Sequence, residues 1–202
     1  MKLTRWLAAL AVFVGLSAVG LRAQNLTFTF SDPAGDAGSG TLNAVGSGLG
    51  DDSLWAISGT LNLTASSLGS GALGTYSLIA AGPGITPSPS GLFVTDNLIY
   101  PSNDAASGTS ACQTSYIAIS NPSYLTYCGL LFGPDGSGTG NQSEINIWGS
   151  GGMTYGFGSV AGGVYTIYTN PGGTFSLPEP PTSLLLVLGT LLVAAGLLRR
   201  GV

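Results

Sequence analysis

The chain has 202 residues, with nine acids, five Lys or Arg, no His and a net charge of −4. All five cations lie near the ends, at Lys2, Arg5, Arg22, Arg199 and Arg200, so residues 24–177 carry eight acids and no base. That distribution excludes the counterion-releasing surface of a nucleic-acid binder, a P-loop or Schiff-base lysine, His ligation of zinc or haem and every relay that runs through His.

At the start, Lys2 and Arg5 precede an apolar run from Trp6 to Leu21, interrupted by Gly15, Ser17 and Gly20. A short basic region, an apolar stretch and small residues after it predict a secretory signal peptide over 1–23. Cleavage after Gly20 or after Ala23 fits the pattern, and an uncleaved anchor helix is the competing reading.

Residues 24–177 are one domain's length of chain, rich in Gly, Ser, Thr and Asn, with no amphipathic helical stretch. Short alternating runs recur instead. In "NLTFTF", Leu26, Phe28 and Phe30 share one face and Asn25, Thr27 and Thr29 the other. "GTLNLT" sends Leu61 and Leu63 inward, and "TYSLIA", "GLFVT", "SYIAIS", "SEINIWG", "MTYGFGS" and "GVYTIYT" follow the same rule. Turn signals stand at 149–152, 161–163 and 170–173. About nine to eleven strands at this spacing predict an all-β domain, a single antiparallel sandwich or jelly-roll-like fold.

Cys112 and Cys128 are the only cysteines. An exported chain favours their oxidation, and closing the loop stabilises the fold by about 3 kcal/mol in the chain-entropy treatment. The alternatives are two reduced core thiols or a reactive pair, for which no basic neighbour is present to lower a thiol pKa. In "PDGSGTGNQSE", oxygens recur at Asp135, Ser137, Thr139, Asn141 and Glu144. Calcium takes such ligands from a Gly-rich loop, although Glu144 falls two places short of the glutamate of an EF-hand loop. A solvated hairpin loop is the competing reading.

Asp51-Asp52 is the carboxylate pair that glycoside hydrolysis would call on. Neighbours on a strand point to opposite faces, however, and no enzyme is expected. Trp55 and Trp148, with Tyr155, Tyr165 and Tyr168, make either a sugar-stacking platform or ordinary β-core and cross-strand pairs. Thr27-x-Thr29 is too short for the flat threonine array that ice binding requires.

The end of the chain reads Pro178-Glu179-Pro180-Pro181, then an uncharged run from Thr182 to Leu198, then Arg199 and Arg200. As a helix the run spans about 26 Å against a hydrocarbon core of roughly 30 Å. The two arginines snorkel to make up the difference. Their position leaves the C-terminus cytoplasmic and the bulk of the chain outside the membrane. The prolines keep the preceding segment extended, with Glu179 accessible beside the membrane.

Pro178, Glu179 and Pro180, the apolar span and the short Arg-containing end together resemble the PEP-CTERM sorting signal, a tail also labelled the C-terminal domain of ice-binding proteins. The likeness covers about 177–200. It departs from the commonest form at Pro181, where Ser or Ala is frequent, and "LPEPP" lacks the Thr-Gly of a sortase signal. "LWAISGTLNL", "DNLIYPS" and "CGLLFG…SEINIWGSGG" look like segments of small PEP-CTERM proteins of unassigned function.

The resemblance implies that exosortase, an integral-membrane transpeptidase, cleaves near the motif in a Gram-negative bacterium that makes exopolysaccharide. It implies three regions: 1–23, 24–177 and 178–202. The expected function is an exported surface or extracellular-matrix structural or interaction protein, anchored by its C-terminal helix until processed. Calcium and exopolysaccharide are the partners its acids would meet. A carbohydrate-binding module using exposed aromatics is the alternative.

Overall fold

The computed structural model describes residues 23–67, 72–82, 84–120, 122–134, 144–151, 154–161 and 164–178, and for 154–161 and 164–171 the backbone path only. Residues 1–22 of the signal peptide expected over 1–23, and the tail from 179 onward, lie outside the described residues.

Eleven strands occur among the described residues: β1 (Gln24–Ser31), β2 (Ala37–Gly46), β3 (Leu54–Ala65), β4 (Gly74–Leu78), β5 (Thr86–Pro87), β6 (Val94–Thr95), β7 (Leu98–Ile99), β8 (Leu130–Gly133), β9 (Glu144–Gly151), β10 (Thr154–Ala161) and β11 (Val164–Ser176). The all-β, antiparallel part of the expectation is met. Nine strands form one sheet, and it curls until β2 pairs with both β1 and β3. The pairings then run β1–β2–β3–β4–β8–β9–β10–β11 and back to β1, so the meander is in chain order apart from one excursion between β4 and β8. β7 adds to β3 beside β4, and β5 with β6 makes a separate two-stranded ribbon.

Alternation decides which side chains fill this sheet. On β1, Phe28 and Phe30 are buried while Thr27, Thr29 and Ser31 face out. The outward hydroxyls pair across strands, Thr29 with Ser176 at 3.0 Å, Ser31 with Thr174 at 2.9 Å and Thr41 with Thr60 at 3.1 Å. Inside, the Phe28 ring stacks on Phe175 at 5.3 Å and reaches Phe132 of β8, across the circuit, at 6.0 Å. Gly40 lies opposite Phe28 in the β1–β2 register. A Cβ there would stand 2.6 Å from the Phe28 ring and 2.0 Å from the Thr60 carbonyl, so only glycine leaves room for the ring.

β3 changes parity midway. Asn43 faces Ser58 and Ala44 faces Ala56, which leaves Ile57 as a bulge residue, exposed to solvent. Leu54 and Ala56 therefore point inward before the bulge, and Leu61 and Leu63 after it. The inward reading of Leu61 and Leu63 holds.

The excursion, residues 79–129, covers the outside of β8, β9 and the first half of β3. Leu131, outward on β8, packs beneath Ile79 and Phe93. Leu98, Tyr100 and Ala105 pack with Leu49 and Trp55. β9 is buried on both faces: Ile145 and Ile147 enter the main core, and Asn146 donates to the carbonyls of Val94 and Cys128 at 3.3 and 3.1 Å. A Cβ at Gly149 would stand 2.2 Å from the Leu125 carbonyl, a measure of how closely the cover approaches.

Two expected elements differ. "NPGG" at 170–173 does not end a strand but makes a bulge within β11, where 169–172 stand against Gly156 alone before the strand runs on through Ser176. "SYIAIS" at 115–120 is not a strand: Ser115 and Tyr116 end a π-helical turn over Cys112–Tyr116, and 117–120 joins no ladder. The Gln113 amide explains this. It donates to the Ile119 carbonyl at 2.6 Å and accepts from the Ile119 N–H at 2.9 Å, taking the place of a partner strand.

Candidate functional site

The excursion is knotted to the sheet at Thr95-Asp96-Asn97. Asn97 has φ 49°, a left-handed conformation that Asn tolerates. Its side chain donates to the Ile79 carbonyl at 2.8 Å and accepts from the Leu131 N–H at 3.2 Å. Its backbone N–H reaches the Gly129 carbonyl and its carbonyl accepts from Ala56. One residue thus joins the excursion to β3, β8 and the end of β4.

Asp96 beside it is fully buried. Its two oxygens lie 3.0 and 2.8 Å from the Thr126 hydroxyl, and the Leu98 N–H donates to it at 3.2 Å. The Thr126 oxygen in turn accepts from the Cys128 N–H at 3.2 Å and the Gly129 N–H at 3.3 Å. Cys112 and Cys128 form the expected disulfide, with a Cα–Cα distance of 6.1 Å, and both are buried. Both sulfurs and an Asp96 oxygen lie within 4.8 Å of one another. With the sulfurs bonded to each other, neither is a thiolate donor for a metal.

The Tyr100 hydroxyl lies near this group. It is buried, faces the hydroxyls of Ser53 and Ser110, and makes no well-formed hydrogen bond. Loss of hydration pushes Asp96 up to about 7, against the pull of its bonds from Thr126, Leu98 and Ser110. Burial first, then the charge on Asp51, pushes Tyr100 up to about 12. A buried acid raised toward neutrality thus lies against a buried disulfide, with the buried Tyr100 hydroxyl near enough to feel its charge.

The other candidate residues are dispersed. Asp51 and Asp52 do not act as a pair. Asp51 accepts from the Ser53 and Thr109 hydroxyls and their N–H groups, and Asp52 accepts from the Ser102 N–H at 3.3 Å. Burial works to raise the Asp51 pKa, but these hydrogen bonds prevail and hold it below its ordinary value. Glu144 is fully buried and both its oxygens are taken by Ser90, one by the N–H at 2.8 Å and the other by the hydroxyl. Asp135, Ser137, Thr139 and Asn141 lie outside the described residues.

Trp55 is half-buried in the small core beside Tyr100, with its indole N–H bonded to the Ala81 carbonyl at 2.8 Å. Trp148, also half-buried, pairs with Tyr127 at a centroid distance of 6.4 Å and 53° between rings. Tyr127 is 37 % exposed. The two tryptophans sit on β3 and β9, which do not pair, so they form no common ladder. Pro178 is exposed immediately after Leu177, while Glu179, Pro180, Arg199 and Arg200 lie outside the described residues, as do the side chains of Tyr155, Tyr165 and Tyr168.

Asp96 and Tyr100 were not among the residues that the sequence singled out. The available signal was "LFVTDNLIY", one acid inside an apolar run in a region without a base. No family model, curated protein or solved structure matches the chain.

The pH dependence of stability follows from Asp96. Its native pKa of about 7 lies above the ordinary 3.8, so between those values the folded chain keeps a proton that the unfolded chain has lost. Its contribution is full below about pH 4 and is lost as pH rises to about 7, on the order of 4 kcal/mol in all. Thermal melting of the wild type should fall from about pH 5 to about pH 8, and Asp96→Asn should flatten the profile. Parallel profiles would remove Asp96 as the cause.

Proposed function

We propose that this chain is an exported surface or extracellular-matrix structural or interaction protein, and not an enzyme. Its acidic β-domain is delivered by a signal peptide and sorted by a PEP-CTERM-like tail. The observation that carries the reading is the exit of the chain from the domain. Leu177 is buried in the main core and Pro178, one residue later, is exposed. The motif therefore begins where the described fold ends, with Pro178 two residues after Ser176 closes β11. A membrane transpeptidase of the exosortase type would meet that segment at the membrane face, with the domain as its cargo.

Internal use of the carboxylates supports the structural part. Asp36, Asp51, Asp96 and Glu144 all accept hydrogen bonds from hydroxyls of the same chain. In this reading the two halves of the curled sheet play the part of a sandwich's two layers and give a stiff module for an envelope or matrix, with calcium and exopolysaccharide as its partners there. Cell fractionation tests the export. The full-length chain should partition with the inner membrane, and removal of residues 178–202 should release the domain outside the cell. A full-length cytosolic species with both termini intact would contradict this.

A carbohydrate-binding role is the second reading, favoured by Tyr127 beside Trp148 on the surface. Titration of neutral oligosaccharides with tryptophan fluorescence tests it. Quenching that survives Trp55→Phe and disappears in Trp148→Ala supports sugar stacking, and an unchanged spectrum in wild type leaves the structural reading alone.

A further inference from the structure

We propose that Asp96 is the base that takes the proton from Cys128 as the Cys112–Cys128 bridge closes. A thiolate, not a thiol, attacks a disulfide. Burial disfavours the thiolate, and residues 24–177 offer no Lys, Arg or His to stabilise it or to accept its proton. Both cysteines are fully buried in the closed form, so the proton lost as the turn docks needs an acceptor beside Cys128, and an Asp96 oxygen lies within 4.8 Å of both sulfurs.

Asp96 is built into the right place. Thr126 bonds to the Asp96 carboxylate and also receives the Cys128 N–H, which fixes the acid to the turn that carries Cys128. Cys112 arrives on a different element, the π-helical turn, where residues 114–118 are exposed. The remaining groups facing Asp96 are the hydroxyls of Ser110 and Tyr100, with Asp51 beyond Tyr100. None of them is a stronger base at neutral pH.

The sequence of steps follows from that division. A small disulfide oxidises Cys112 while the turn is undocked from Cys128, forming a mixed disulfide and releasing one small thiol. As the turn docks, the Cys128 proton passes to an Asp96 oxygen. The Cys128 sulfur attacks Cys112 Sγ, the new S–S bond forms, and the bond to the small molecule breaks. The departing thiolate takes a proton from solvent. Two protein thiols are oxidised, one small disulfide is reduced to two thiols, and Asp96 ends protonated, the form its dry surroundings favour.

The test uses the full-length reduced chain with glutathione disulfide, following conversion of the mixed disulfide into the bridge by mass. Wild-type closure should level off with pH once Asp96 is ionised. Asp96→Asn should close more slowly by on the order of tenfold or more, with a rate that keeps rising with hydroxide. Asp104→Asn, remote in role, should match wild type. Opening of the folded, oxidised protein by reduced glutathione should slow by a similar factor in Asp96→Asn, because the same group returns the proton to Cys128. Equal rates of closing and opening in wild type and Asp96→Asn would overturn the proposal. Should Asp96→Asn fail to fold, a wild-type closure rate that tracks hydroxide without levelling would overturn it alone.

Discussion

A carboxylate buried without a cation is costly unless its oxygens accept hydrogen bonds, and residues 24–177 contain no cation at all. The chain answers with hydroxyls and backbone amides. Asp36 holds Ser66 and Ser67. Asp51 holds Ser53 and Thr109, and Asp52 holds Ser102. Asp96 holds Thr126, and Glu144 holds Ser90. Most of these contacts join segments far apart in sequence, so the acids act as clamps between loops and sheet, a part that ion pairs play in many other proteins. Hydrogen bonds to a charged acceptor are about twice as strong as neutral ones, which makes a few of them sufficient.

The clamps matter because of how the sheet is closed. Phe28, Phe132 and Phe175 fill the interior, but the sheet is thinly paired at β4–β8, where two residue pairs make the ladder. That is where the chain leaves on its excursion and returns. Asn97 bonds to both sides of the seam, to the Ile79 carbonyl and the Leu131 N–H. The excursion is therefore part of the closure as well as a cover, and the disulfide secures it from within. The placing of a near-neutral acid beside that disulfide is a consequence of the same arrangement.

Much of the sheet was legible because alternation and hydroxyl-rich outer faces leave a period of two in "NLTFTF", "GTLNLT" and "SEINIWG". Where local signals misled, a longer-range contact had overruled them. "NPGG" reads as a turn, but it lies in a bulge of β11: between the Tyr155–Gly173 and Phe157–Tyr168 pairs, residues 169–172 stand against Gly156 alone, and pairing resumes with Thr174 facing Ser31 of β1. "SYIAIS" alternates like a strand, but a Gln113 side chain takes the backbone bonds that a strand would make. With two cysteines only one intramolecular pairing exists, and the expected export favoured it over two reduced core thiols or a reactive pair. Asp96 was not legible, because its burial depends on Thr126 and Ser110, residues that no local pattern connects to it. The same holds for Glu144, which reads as a loop-end ligand and is bound to Ser90 on a distant segment.

The account depends on carboxylate–hydroxyl clamps, and a double-mutant cycle at Glu144 and Ser90 tests it most directly. Denaturant unfolding of wild type, Glu144→Gln, Ser90→Ala and the double variant should yield a coupling energy of about 1–3 kcal/mol, with the second substitution costing little once the first is made. Strictly additive losses would show that the two side chains stabilise the fold independently and that the clamps do not hold the excursion to the sheet.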